Sequence, residues 1–204
     1  MDRLFTSFQK LLAPVPGSLY IAMIVTSTIF AAATGIVGSS ITLLCFMSAP
    51  AMARSNYDIA LGAGSIAGGG TLGILIPPSI MLVVIGPLIG VPVTDLFAAA
   101  IIPGLVLSTS YIVFALVRCY LNPSLGPPMD KSEIDESFGE LIWGLVVGTF
   151  PVAILILCVL GAILFGLATP TEAAACGAAG AFILVVAYGK MNLDNFKRSL
   201  FNTA

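Results

Sequence analysis

The sequence predicts an all-α, polytopic membrane protein that contains a re-entrant helical hairpin and a discontinuous transmembrane helix. Three observations point there. Of 204 residues, 58% are hydrophobic and only 9% are charged, against about 25% charged in a soluble domain. Two apolar segments are joined by the uncharged turn Gly35-Ile-Val-Gly38-Ser-Ser. A third apolar segment, from about Ile59 to Val93, is interrupted by Pro77 and Pro78.

The elements follow in chain order. Residues 1–16 read as a short amphipathic interfacial segment leading to Pro14 and Pro16. Residues 17–53 read as a hairpin, because Gly35, Gly38, Ser39 and Ser40 suit a turn buried within the membrane. Residues 57–93 read as a broken helix. Gly68, Gly69, Gly70 and Gly73 each destabilise a helix by about 1 kcal/mol relative to Ala. Pro77 and Pro78 remove two backbone donors. Unwound backbone at bilayer depth is tolerated only where protein buries it or where it lines a polar cavity. Residues 94–120 form a further span. The proline-rich, charged stretch 121–140 belongs in water. Residues 141–188 hold two more spans, and residues 189–204 an interfacial tail.

Charge supports one orientation. With the N-terminus in the cytoplasm, Arg3, Lys10, Arg54, Arg118, Lys131, Lys190, Lys197 and Arg198 all fall on the cytoplasmic side. Only Asp95 and Glu172 fall on the other. A re-entrant hairpin and two complete spans satisfy this rule equally.

Composition excludes several functions. A net charge of −2 and the lack of a basic run argue against nucleic acid. No histidine is present, which removes the commonest general base and metal ligand. No paired carboxylate lies within a span, so the chain is not read as an enzyme. Cys45, Cys119, Cys158 and Cys176 are widely spaced and read as small buried hydrophobes. Asp58, Asp95, Arg54 and Arg118 read as helix caps or interface anchors. Thr169-Pro-Thr-Glu172 reads as a helix start, with Thr169 as N-cap and Glu172 closing a capping box. Capping is preferred to ion binding for Glu172.

Neutral polar residues cluster at the two breaks. Gly38, Ser39, Ser40, Thr71 and Gly73 are the candidate Na⁺ ligands, since carbonyl and hydroxyl oxygens suit a hard monovalent cation. Ser39, Thr71, Pro77, Pro78 and Ser79 are the candidate substrate residues. The half-helix beginning near Ser79 would present a positive end to a carboxylate. For any one Gly or Ser, close helix packing is the simpler explanation. For the two clusters together, a site is the better one.

Four stretches carry a family resemblance: Thr34-Gly-Ile-Val-Gly38, Gly70-Thr-Leu-Gly-Ile-Leu-Ile-Pro-Pro-Ser-Ile80, Ile101-Ile-Pro-Gly-Leu105 and Gly166-Leu-Ala-Thr-Pro-Thr-Glu-Ala-Ala-Ala175. They resemble, in order, the large permease subunit of tripartite ATP-independent periplasmic (TRAP) transporters. The resemblance implies an inverted-repeat, elevator-type carrier of the bacterial inner membrane. It implies Na⁺-coupled uptake of organic acids such as C4-dicarboxylates, delivered by a periplasmic substrate-binding protein. It also implies a small membrane subunit as partner. In that scheme residues 17–93 are part of the transport domain, and the spans from residue 141 open the second repeat.

The chain is about half the length that the resemblance implies, so a fragment or a truncated gene is expected, with the second hairpin and second broken helix missing. A non-transporting membrane scaffold or relic is the alternative. No Lys or Arg within a span selects an acid.

Overall fold

The computed structural model describes residue 8 and residues 10–12, 14–128 and 138–189. Most of the expected interfacial segment before Pro14, residues 129–137 of the polar loop and residues 190–204 of the tail lie outside the described residues. Seven α-helices and no strand are found among the described residues: α1 (Ser18–Thr34), α2 (Val37–Arg54), α3 (Ile59–Leu75), α4 (Ile80–Ile89), α5 (Val93–Leu121), α6 (Phe138–Leu164) and α7 (Pro170–Ala187). A short 3-10 turn, Pro123–Leu125, follows α5. The chain divides into two compact units, residues 1–153 and residues 154–204.

In the first unit α3 is the centre, packed against α1, α2 and α5. Its glycines make that possible. A β-carbon at Gly69 would stand 2.7 Å from Ser27 Oγ of α1, and one at Gly70 would collide with Ile41 of α2. Gly68 lies against the Tyr111 ring of α5. Lipid supplies no hydrophobic drive between helices, so close van der Waals approach has to hold them. This corrects the expectation that the glycine cluster unwinds the helix. Gly68, Gly69, Gly70 and Gly73 are all helical. Their intrinsic cost is offset by the contacts they permit, and the chain breaks only at Ile76–Ser79.

α5 is long and apolar enough to cross a membrane. α3 and α4 meet that test as one span, bent by 45° at the break. The outward faces of α4 and α5 carry large apolar side chains, among them Val84, Leu88, Ile102, Val106 and Phe114.

The end of the unit opposite the break is tied by a polar clasp. The Tyr20 hydroxyl donates to the carbonyl of Leu125 at 2.8 Å and to that of Asp58 at 3.2 Å. Tyr57 packs edge-on to Tyr20, with ring centroids 4.9 Å apart. Its hydroxyl lies 3.3 Å from Ser18 Oγ and accepts from the Leu19 amide at 3.4 Å. Burial pushes the Tyr57 hydroxyl above its ordinary range. Gly17 N–H donates to the Gly126 carbonyl and Asp58 N–H to the Leu125 carbonyl, each at 3.0 Å. Gly17 has φ +80°, and a β-carbon there or at Gly126 would strike Cys119 Sγ at 2.9 Å. The start of α1, the start of α3 and the end of α5 therefore meet at one end.

Charged residues act as helix caps and terminal charges. Asp58 caps α3, its carboxylate accepting from the Leu61 amide at 2.7 Å. Asp95 sits in the first turn of α5, and Arg54 and Arg118 in the last turns of α2 and α5, each complementing the local dipole.

In the second unit the later half of α6 packs on α7. β-Carbons at Gly177 and Gly180 would stand 3.0 Å from Val159 and Leu155. Thr169 is the N-cap of α7 and Glu172 completes the capping box. The cysteine expectation needs correction: Cys119 is buried, but Cys45, Cys158 and Cys176 are exposed on helix surfaces. Spacing along the chain does not say which way a helical side chain points.

Candidate functional site

The hairpin turn sits directly on the break in the α3–α4 span. α1 and α2 are joined by Gly35 and Ile36 alone. Gly35 is left-handed at φ +61°, a conformation that costs other residues about 1–2 kcal/mol. A β-carbon on Gly35 would stand 2.8 Å from the Pro78 carbonyl oxygen and 3.4 Å from the Ile80 amide. A β-carbon on Gly73 would lie 3.6 Å from the Ile36 amide. From the α5 side, Ile76 fills the space left by Gly104, within 3.0 Å of where a β-carbon would stand.

The two prolines set the chemistry of the break. In a continuous helix the amides at 77 and 78 would donate to the carbonyls of Gly73 and Ile74. Proline has no amide hydrogen, so both acceptors lose their helical donors. Ser79 repairs one of them: its buried hydroxyl donates to the Ile74 carbonyl at 2.6 Å. The Gly73 carbonyl has no helical donor to receive. α3 ends on the Ile76 amide donating to Leu72 at 2.8 Å, and α4 starts after Ser79 in extended backbone. The Pro77–Pro78 peptide is cis.

Four helix ends thus converge: the C-terminal ends of α1 and α3 and the N-terminal ends of α2 and α4. Terminal carbonyls carry negative partial charge and terminal amides positive. The point can therefore face a cation from one side and an anion from another, without burying a full protein charge. Among the described residues, no group of three His, Cys, Asp or Glu side chains could hold a metal ion. Any cation here would be held by carbonyl and hydroxyl oxygens.

The residues expected at the site fall into two sets. Gly73, Pro77 and Ser79 are buried at the tip-and-break contact, and Pro78 is half-buried there. Ser40 is buried beside them, donating to the Ile36 carbonyl at 2.6 Å. Gly38, Ser39 and Thr71 are instead exposed on α2 and α3. The Ser39 hydroxyl reaches the Ile36 carbonyl at 3.5 Å, and the Thr71 hydroxyl donates to the Gly68 carbonyl at 2.7 Å. Sequence reasoning placed Gly35 in the buried turn but not against Pro78, and it passed over Thr42, a further exposed hydroxyl that donates to the Gly38 carbonyl at 2.9 Å.

The sequence is similar to those of known proteins. The family model described as "Tripartite ATP-independent periplasmic transporter, DctM component" matches residues 1–204. The C4-dicarboxylate TRAP transporter large permease protein DctM of Pseudomonas aeruginosa is 33% identical over 192 residues, covering 93% of this chain and 43% of that protein. The protein of the same description from Rhodobacter capsulatus is 31% identical, covering 92% of this chain and 44% of that protein. The 2,3-diketo-L-gulonate TRAP transporter large permease protein YiaN of Escherichia coli is 31% identical, covering 96% of this chain and 45% of that protein. The chain thus spans somewhat less than half the length of these relatives. The match over the whole chain shows that this protein belongs to the large permease family of TRAP transporters, which are integral membrane proteins.

Proposed function

We propose that this chain carries the first hairpin and broken helix of a Na⁺-coupled permease that takes up organic acids. C4-dicarboxylates are the first substrate class to test, because relatives in three organisms carry that name. The observation that carries the reading is the seat of the Gly35–Ile36 turn on the break at Pro78. If α3 and α4 cross the membrane as one span, the turn ends at the depth of the break, which favours a re-entrant hairpin. The contact brings unpaired helix-end carbonyls and amides together at that depth, where neither has water as an alternative partner.

In this reading Na⁺ takes oxygen ligands from the Gly73 carbonyl and from Gly38, Ser39, Ser40 and Thr71. The amide ends of α2 and α4, with Ser39, Thr71, Pro77, Pro78 and Ser79, meet the substrate carboxylate. The partners are a small TRAP membrane subunit and a periplasmic binding protein, in the bacterial inner membrane, with the N-terminus in the cytoplasm. An elevator motion of the hairpin and broken helix against a scaffold belongs to the same proposal.

The test uses the full-length permease carrying this segment, assembled with its partners in proteoliposomes. The double substitution Ser39→Ala, Thr71→Ala should weaken the Na⁺ dependence of succinate uptake while membrane insertion stays normal. Unchanged Na⁺ dependence would remove the proposed ion site. Absence of any Na⁺-driven uptake by the unsubstituted assembly would instead favour a non-transporting scaffold.

A further inference from the structure

The contact between hairpin tip and break is one side of a triangle. The tip meets the break where Gly35 abuts the Pro78 carbonyl. The break meets α5 where Ile76 fills the space left by Gly104. α5 meets α1 where Thr28 Oγ1 and Ser108 Oγ lie 2.6 Å apart, and either hydroxyl can supply the proton. Ser108 is one helical turn after Gly104, and Thr28 is two turns before Gly35. Sliding α1 along α5 would therefore carry the tip off the break.

The first two sides are van der Waals contacts. On α5 the buried positions Ala100, Gly104, Ser108, Ala115 and Cys119 are all small. Small side chains let helices approach closely, but they offer little steric resistance to sliding. A polar contact on an otherwise smooth apolar seam fixes register, because a slip parts the two groups where no water replaces the lost bond.

Neither hydroxyl is required by its own helix. The Ile24 carbonyl lies 2.8 Å from the Thr28 hydroxyl, but the Ser27 hydroxyl donates to it at 2.7 Å, and so does the Thr28 amide in a regular helix. Removing the Thr28 hydroxyl thus strands no acceptor, and the Ser108 hydroxyl can then bond back to its own helix. Removing the Ser108 hydroxyl leaves Thr28 with the Ile24 carbonyl. What either loss takes away is the link between α1 and α5.

We propose that Thr28 and Ser108 are positioning residues of the transport site: their hydrogen bond sets the register of α1 on α5 and so seats the hairpin tip on the break. The inference rests on the proposed function and adds to it two residues that touch neither ion nor substrate.

The experiment uses the full-length permease with its partners in proteoliposomes, with succinate as the transported probe and Na⁺ varied. Ser108→Ala and Thr28→Val should each raise the Na⁺ concentration for half-maximal uptake about three- to tenfold, the range of one interhelical hydrogen bond in a membrane. Tm should move by no more than about 5 °C. Thr28→Ser, which keeps the hydroxyl, should restore the Na⁺ requirement. The double variant should be no worse than either single one, since both remove the same bond. Tyr20→Phe is the control for a purely structural loss: it removes a hydrogen bond at the clasp end of the same bundle, and its Na⁺ requirement should stay unchanged. An unchanged Na⁺ requirement in both single variants, even with a lower Tm, would overturn the positioning role. Effects that multiply in the double variant would overturn the pairing. Neither result touches the transport function. Absence of Na⁺-driven uptake by the unsubstituted assembly would overturn that function and this inference with it.

Discussion

Gly35 and Pro78 touch through their backbones: a β-carbon on the first would stand 2.8 Å from the carbonyl oxygen of the second. Nothing larger than hydrogen fits between the hairpin turn and the break unless one of them moves. Gly35→Ala combines that clash with a left-handed φ of +61°. We expect a loss of about 1–2 kcal/mol from the backbone conformation alone. Thermal unfolding in detergent should show a lower Tm, and transport should fall further than the protein level. An unchanged Tm would mean that the tip does not press on the break.

Joining the broken helix is the reverse experiment. Pro77→Ala with Pro78→Ala returns donors to the Gly73 and Ile74 carbonyls and frees the Ser79 hydroxyl. The variant should insert and express normally, be at least as stable, and lose uptake. Full uptake by the double variant would reduce the break to a simple kink.

Tyr20→Phe tests the clasp. It leaves the carbonyls of Leu125 and Asp58 without the phenol that serves both. Each carbonyl keeps a backbone donor, Asp58 N–H for Leu125 and Gly62 N–H for Asp58, so a cost of about 0.5–1.5 kcal/mol is expected. Limited proteolysis around Asn122–Gly126 should speed up, while the Na⁺ dependence of any remaining transport is untouched. Equal cleavage rates would show that the clasp holds nothing in place.

At α7, Glu172→Gln should be mild, because glutamine can still accept from the Thr169 amide, which Glu172 now holds at 2.8 Å. Thr169→Ala should lower stability by about 1 kcal/mol. Neither should alter Na⁺ dependence. A changed Na⁺ affinity in Glu172→Gln would reassign this carboxylate from capping to ion binding.

These contacts also show what could be read from the chain. The break was legible because a proline deletes a donor at a fixed offset: Pro77 and Pro78 name Gly73 and Ile74 without any tertiary knowledge. The capping box at Thr169 and Glu172 was legible for the same reason, as its partners are three residues apart. The glycines were misread as unwinding signals because their meaning lies in what faces them. Gly70 needs Ile41, and Gly69 needs Ser27 and Met23, none of them adjacent in sequence. The clasp was invisible, since Tyr20 and Leu125 are 105 residues apart and neither belongs to a local motif.

The bond from Gly17 to Gly126 has a topological consequence. The polypeptide enters the α1–α5 bundle and leaves it at one spot, 3.0 Å apart from amide to carbonyl. A segment with coincident entry and exit is a cassette. It can be excised, exchanged between homologues or circularly permuted with a very short bridge, because its two ends already meet. Chimeras joined at Gly17 and Gly126 would respect the closure of the backbone, and junctions placed inside it would cut across the clasp.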